Sequence, residues 1–88
     1  EFTAEELQAE ATAFRDRFRS VLLATADSNA RPDASYAPCI FDDEGRTVVF
    51  ISELASHTRN LHVNPRASLM FIADEEASRN LFARRRLV

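Results

Sequence analysis

The sequence predicts one mainly β domain with flanking helices, and three observations carry that prediction. Four short runs rich in β-branched, aromatic and other apolar residues recur at 20–26, 35–41, 47–51 and 67–73, most of them bounded by polar turn residues. Helical spacing of apolar residues, by contrast, is confined to about 4–18 and 52–63. The chain has 88 residues, enough for a single small domain, and a unit of this size buries only about 60 to 65% of its unfolded surface. Its core is therefore expected to be completed by a partner.

Thr3 followed by Glu6 forms a capping-box pattern that opens the first helix. Leu7, Ala11, Phe14 and Phe18 then repeat at helical spacing as one apolar stripe, leaving Glu10, Arg15 and Asp16 toward water. Such a helix suits the covering of a sheet or a barrel end. Residues 20–26, SVLLATA, are largely apolar on both faces, the pattern of a strand enclosed on both sides. Asp27, Ser28 and Asn29 make a polar turn, and Pro32 precedes the second extended run at 35–41. Pro38 removes a ladder donor, so this strand is expected at an edge, at a bulge, or where a ligand approaches. Residues 42–46, holding Gly45, the only glycine, form a hairpin connection to the third strand at 47–51. From 52 to 63 the period becomes helical, with Leu54, Thr58 and Leu61, or Ala55 and His62, at helical offsets, until Asn64 and Pro65 stop it. A fourth strand, ASLMFIA at 67–73, leads through a polar turn at 74–78 into a short helical or irregular piece that ends as another strand begins. Four strands are few for an isolated closed barrel, so a homodimer sharing one core is the expected architecture.

Hydrophobic residues make up 45% of the chain and charged residues 28%, enough apolar surface to offset chain ordering, which argues against disorder. A net charge of −3 supplies no uniformly positive field for nucleic acid, and no apolar run is long enough to cross hydrocarbon. Neither nucleic acid nor membrane is expected as a partner. Arg84, Arg85 and Arg86 form a local basic cluster whose ordinary reading is a solvated or subunit-contact face. Cys39 stands alone, so it makes no intrachain disulfide and no thiolate metal cluster, and a reducing, cytoplasmic setting is expected. The amino-terminal residues are acidic and amphipathic, unlike a secretory signal.

Chemistry concentrates where the third strand runs into the polar helix. Ser52 and Ser56 are suited to capping free helix amides or donating to an anion held there. His57 can pair with phosphate or carboxylate, relay a proton or ligate iron, against the ordinary reading of a surface histidine at a helix start. Arg59 can hold phosphate or carboxylate in a bidentate fork, or make a subunit salt bridge. Asn60 can bind a ligand or satisfy exposed backbone groups. His57 and His62 lie about 140° apart on a helix and make no convergent pair, and Asp74 and Glu75 lack metal-ligand spacing, so no metal site is expected. Cys39 reads as a small hydrophobe, and Tyr36 as a packing residue or a ring that stacks on a ligand. No glycine-rich phosphate loop or diagnostic carboxylate pair is present, so no catalytic residue is assigned.

The order of LLATAD at 22–27, SYAPCIFDDEG at 35–45, VFISELASHTRNL at 49–61, NPRASLMFIADE at 64–75 and NLFARRRLV at 80–88 resembles the pyridoxamine 5'-phosphate oxidase-like, FMN-binding split-barrel superfamily, and more narrowly its haem-utilisation branch. The resemblance implies a split β-barrel, completed or stabilised by dimerisation. Residues 1–88 would be a single domain matching the amino-terminal portion of the family pattern and lacking its carboxyl-terminal part. In flavin-binding relatives the third strand and following helix run beside the cofactor, and basic side chains at that junction hold its phosphate. By resemblance Phe50 and Ile51 line the ring side, and Tyr36 lies on the strand approaching the flavin. Ser56 and His57 stand where the oxidases place basic phosphate ligands, which weakens charge neutralisation because serine carries no charge. With Ser52, Arg59 and Asn60 these complete the cofactor-binding candidates. Some members of the haem branch bind haem at the dimeric barrel and support its breakdown, using a histidine near their carboxyl end as iron ligand. That ligand does not transfer to His57 or His62. The expected function is a cofactor-binding split barrel related to haem utilisation, either an FMN-dependent oxidoreductase or a haem-binding or haem-degrading protein. The alternative is a non-catalytic binding or assembly module retaining only the dimerising half-barrel.

Overall fold

The computed structural model describes residues 1–88. Thr3 opens α1 (Ala4–Arg15) with a reciprocal cap: its Oγ1 accepts from the Glu6 N–H while its own N–H donates to Glu6 Oε1. The helix ends earlier than 18, at Asp16, yet Phe18 still meets Phe14 edge-on with ring centroids 5.1 Å apart. Leu7 of the expected stripe is half exposed. Arg15, expected in water, instead lies over the Phe41 ring at 4.4 Å and donates to the Gly45 carbonyl at 2.8 Å. Its stem covers apolar surface while its nitrogens find backbone and Asp16 oxygens.

The strands are β1 (Ser20–Ala26), β2 (Pro32–Phe41), β3 (Thr47–Val49), β4 (Ser68–Ile72) and β5 (Arg86–Leu87). They form one antiparallel sheet in the order β3-β2-β1-β4-β5, with α2 (Ser56–Val63) between β3 and β4 in sequence and 3-10 turns at Glu75–Ala77 and Leu81–Ala83. β2 starts at Pro32, before the expected 35, and is internal at its carboxyl end, where β1 and β3 flank it. Pro38 is tolerated there for a geometric reason. The Cys39 N–H donates to the Arg19 carbonyl on one side, so the neighbouring Pro38 nitrogen faces the other side, where β3 has ended and only the Phe50 N–H reaches the Pro38 carbonyl.

Two hairpin turns share one device. Asp27 Oδ1 accepts from the N–H groups of Asn29 and Arg31, and Asp42 Oδ1 from those of Glu44 and Arg46, with Ala30 and Gly45 taking the positive φ each turn requires. Residues 52–55, expected to begin the second helix, form a turn instead. The Ser52 Oγ accepts from the Leu54 N–H and its carbonyl from Thr58 Oγ1, which leaves Ala55 as the helix cap without a side-chain acceptor. The face α2 buries is polar, His57, Thr58 and Asn60, while Leu54 stands in solvent.

The core lies on one face of the sheet. Phe14, Val21, Cys39 and Phe71 form its centre, with Phe18, Phe41, Val49, Leu69 and Leu87 packed around them. Along β1 buried Val21, Leu23 and Thr25 alternate with exposed Ser20, Leu22 and Ala24, so β1 is enclosed on one side rather than two. The cross-strand partners Leu22 with Tyr36, Leu22 with Met70, and Ile40 with Val48 place these side chains on the opposite face, where Tyr36 is 71% exposed. The accessible surface, 7111 Å², exceeds the roughly 5200 Å² of a compact monomer of 9.9 kDa, and the radius of gyration of 14.8 Å exceeds the expected value of about 12 Å. No helix is long and apolar enough to cross a membrane.

Candidate functional site

Polar contacts lay α2 on the β1–β2 hairpin. Asn60 Nδ2 donates to Thr25 Oγ1 at 3.1 Å, with both residues buried. His57 Nδ1 lies 2.8 Å from Ser35 Oγ, and the same hydroxyl is 3.5 Å from the Leu23 carbonyl. His57 is thus buried beneath the helix, its Nε2 without a partner. Ser56 Oγ donates to Asp33 Oδ2 at 3.2 Å, and Arg59 donates to the Leu54 carbonyl at 3.1 Å.

A polar cavity of about 460 Å³ opens between the hairpin turn and α2, lined by Asp27, Ser28, Arg31, Asp33, Ser56, Arg59 and Asn60 among others. Its charges cancel, since two guanidiniums face two carboxylates. The Arg31 backbone N–H holds the Asp27 carboxyl below the usual carboxylate range, assisted by the Asn29 N–H and the Arg31 guanidinium 3.8 Å away. A phosphate dianion entering this cavity would meet no net positive field.

A second concavity, about 440 Å³, lies on the bare sheet face. Leu22, Ala24, Ala34, Tyr36, Met70 and Val88 dominate it, and Ser35 and Ser68 supply the little polar surface it has.

The structure therefore divides the sequence-derived candidates. Ser56, Arg59 and Asn60 meet in the polar cavity, Tyr36 lines the apolar trough, and His57 sits beneath α2. Phe50 and Ile51 are exposed and, with Ser52, line neither concavity. Asp27, Arg31, Asp33 and Ser35 escaped sequence reasoning because their relation to α2 is tertiary. The one available signal was the Asp27…Arg31 spacing, which recurs at Asp42…Arg46.

Residues 7–87 match the family described as pyridoxamine 5'-phosphate oxidase. The heme oxygenase HutZ of Vibrio cholerae is 47% identical over 81 residues, 92% of this chain and 46% of that protein. The crystal structure of HutZ, described as the heme storage protein from Vibrio cholerae, superposes with a TM-score of 0.81 at 46% identity, over 91% of this chain and 56% of that one. ChuZ of Campylobacter jejuni superposes with a TM-score of 0.88 at 33% identity, over 98% of this chain and 35% of that one. The chain spans about half the length of the curated relative it matches.

Proposed function

The chain belongs to the pyridoxamine 5'-phosphate oxidase family and has its split-barrel-like fold, and on that premise we propose that it binds haem, as the half-barrel of a haem-utilisation protein that works as a dimer. The observation that carries the reading is the apolar trough on the bare sheet face. A porphyrin is a flat apolar disc with charge only at its rim, and Leu22, Ala24, Tyr36 and Met70 offer it an apolar bed that a second copy would close. The names of the HutZ relatives support the same ligand class.

Haem, when bound, supplies iron redox and oxygen chemistry. The residues of this chain supply packing and exclusion of water: Leu22 and Met70 line the bed, and Tyr36 offers a ring face. Neither His57 nor His62 lines the trough, so iron coordination is assigned to neither. An FMN-dependent oxidoreductase is the weaker reading, because a flavin phosphate entering the polar cavity would compete with Asp27 for Arg31 and meet the Asp33 carboxylate beside Arg59. An assembly module that only dimerises is a second reading favoured by the same apolar face.

Hemin titration followed in the Soret band separates these readings. The expected result is saturable binding that weakens at least about tenfold in Met70→Glu, where a carboxylate enters the apolar bed, and is unchanged in Arg59→Ala. Saturable FMN binding lost in Arg59→Ala would establish the flavin reading instead. No saturable response to either cofactor from an intact dimer would leave the assembly module.

A further inference from the structure

We infer that the protein carries a separate anion-binding site, for a small polyphosphate-class anion, in the cationic cavity where α1 meets the turns between β4 and β5. This cavity, about 380 Å³, is lined by Phe14, Arg17, Ser78, Arg79, Asn80 and Arg85 among others. Three guanidiniums thus share one cavity in a chain of net charge −3.

The buried Phe14 ring gathers two of them. Arg85 lies 4.5 Å and Arg17 5.8 Å from its centroid, so both guanidiniums are drawn to one buried ring at the cavity wall. Only one carboxylate pairs with the three arginines of the cavity. Glu10 reaches Arg85 at 3.3 Å, but both side chains are about half exposed, and such a pair is weak and screened. Arg17 and Arg79 make no ion pair, as is also true of Arg19, Arg59, Arg66 and Arg86, but only here do two such arginines line one cavity with a third. Asn80 adds a neutral donor, since its Oδ1 accepts from the Phe82 N–H and its Nδ2 has no protein partner.

Forked donors carrying excess positive charge match phosphate oxygens, each of which accepts from more than one guanidinium. An anion with at least two charges balances the excess of three cations over one carboxylate. Pyrophosphate has the charge and the size for the volume, and the cavity shares no lining residue with the apolar trough or with the polar cavity beside α2. The inference therefore stands independently of the haem reading.

Isothermal titration of the protein with inorganic pyrophosphate tests it. One saturable site is expected, loosening as salt rises, and at least about tenfold weaker in Arg17→Gln and in Arg79→Gln. Both variants are expected to keep the wild-type melting temperature, because both side chains are exposed. Glu10→Gln, which removes the competing carboxylate, is expected to bind pyrophosphate more tightly. Absence of saturable binding would overturn the inference. So would wild-type affinity in Arg17→Gln and Arg79→Gln, or loss of binding in Arg59→Gln, which would place the anion beside α2.

Discussion

Asn60 ties α2 to β1 through one buried hydrogen bond, and its loss would leave Thr25 enclosed without its donor. Asn60→Ala is therefore expected to cost about 1–3 kcal/mol, the penalty of an orphaned buried polar group, and to lower the melting temperature by several degrees. An unchanged melting curve would show that Thr25 finds another partner. Ser35 does the same service for His57, whose second nitrogen already goes without one. Sequence alone made the polar cluster at 56–60 visible. It could not tell that this polar side faces inward, because helical spacing defines faces and only the partners on β1 and β2 decide which face is buried. Cys39 is the simpler case: it lies in the core and burial pushes its thiol up, as its reading as a small hydrophobe implies.

The two hairpin turns were legible, since an aspartate followed by glycine or polar residues already encodes its own bonding pattern. The start of α2 was not, because Ser52 uses its hydroxyl on the Leu54 N–H and so closes a turn of its own before the helix begins. Each hairpin also writes a pH dependence into the fold. The Asp42 carboxyl is held below its ordinary range, first by the Arg46 backbone N–H and then by the Arg46 side chain. A carboxyl depressed in the folded state stabilises it above the unfolded value, and that stabilisation is lost as pH falls through the depressed value. Asp42→Asn is thus expected to show a shallower fall in melting temperature than wild type on acidification from about pH 5 to about pH 2. The difference will be small and salt-sensitive, as the group is only partly buried. Parallel curves for the two proteins would remove Asp42 from the acid response.

At the scale of the whole molecule, the excess surface and the bare apolar face support the proposal that a second copy completes the core. The sequence hinted at this through the apolar residues on both sides of 20–26, but only the sheet order shows which side the helices leave open. Sedimentation over a range of concentrations is expected to give a mass near twice 9.9 kDa, and Leu22→Glu to shift it toward the monomer. A monomer at every concentration would remove the dimer from the proposal. The sheet order also carries an expectation about how the chain folds. β1 finds β2 across the short turn at 27–31, but it meets β4 only across the stretch of chain that holds β2, β3 and α2. Local pairing is fast and distant closure slow, so the central hairpin is expected to assemble before β4 and β5 dock. Under denaturing stress the two-residue β5, paired with β4 at only two positions, is expected to be the first strand to leave. Its departure would open the flank of β4 to strands of other chains, the kind of unpaired edge through which aggregation begins.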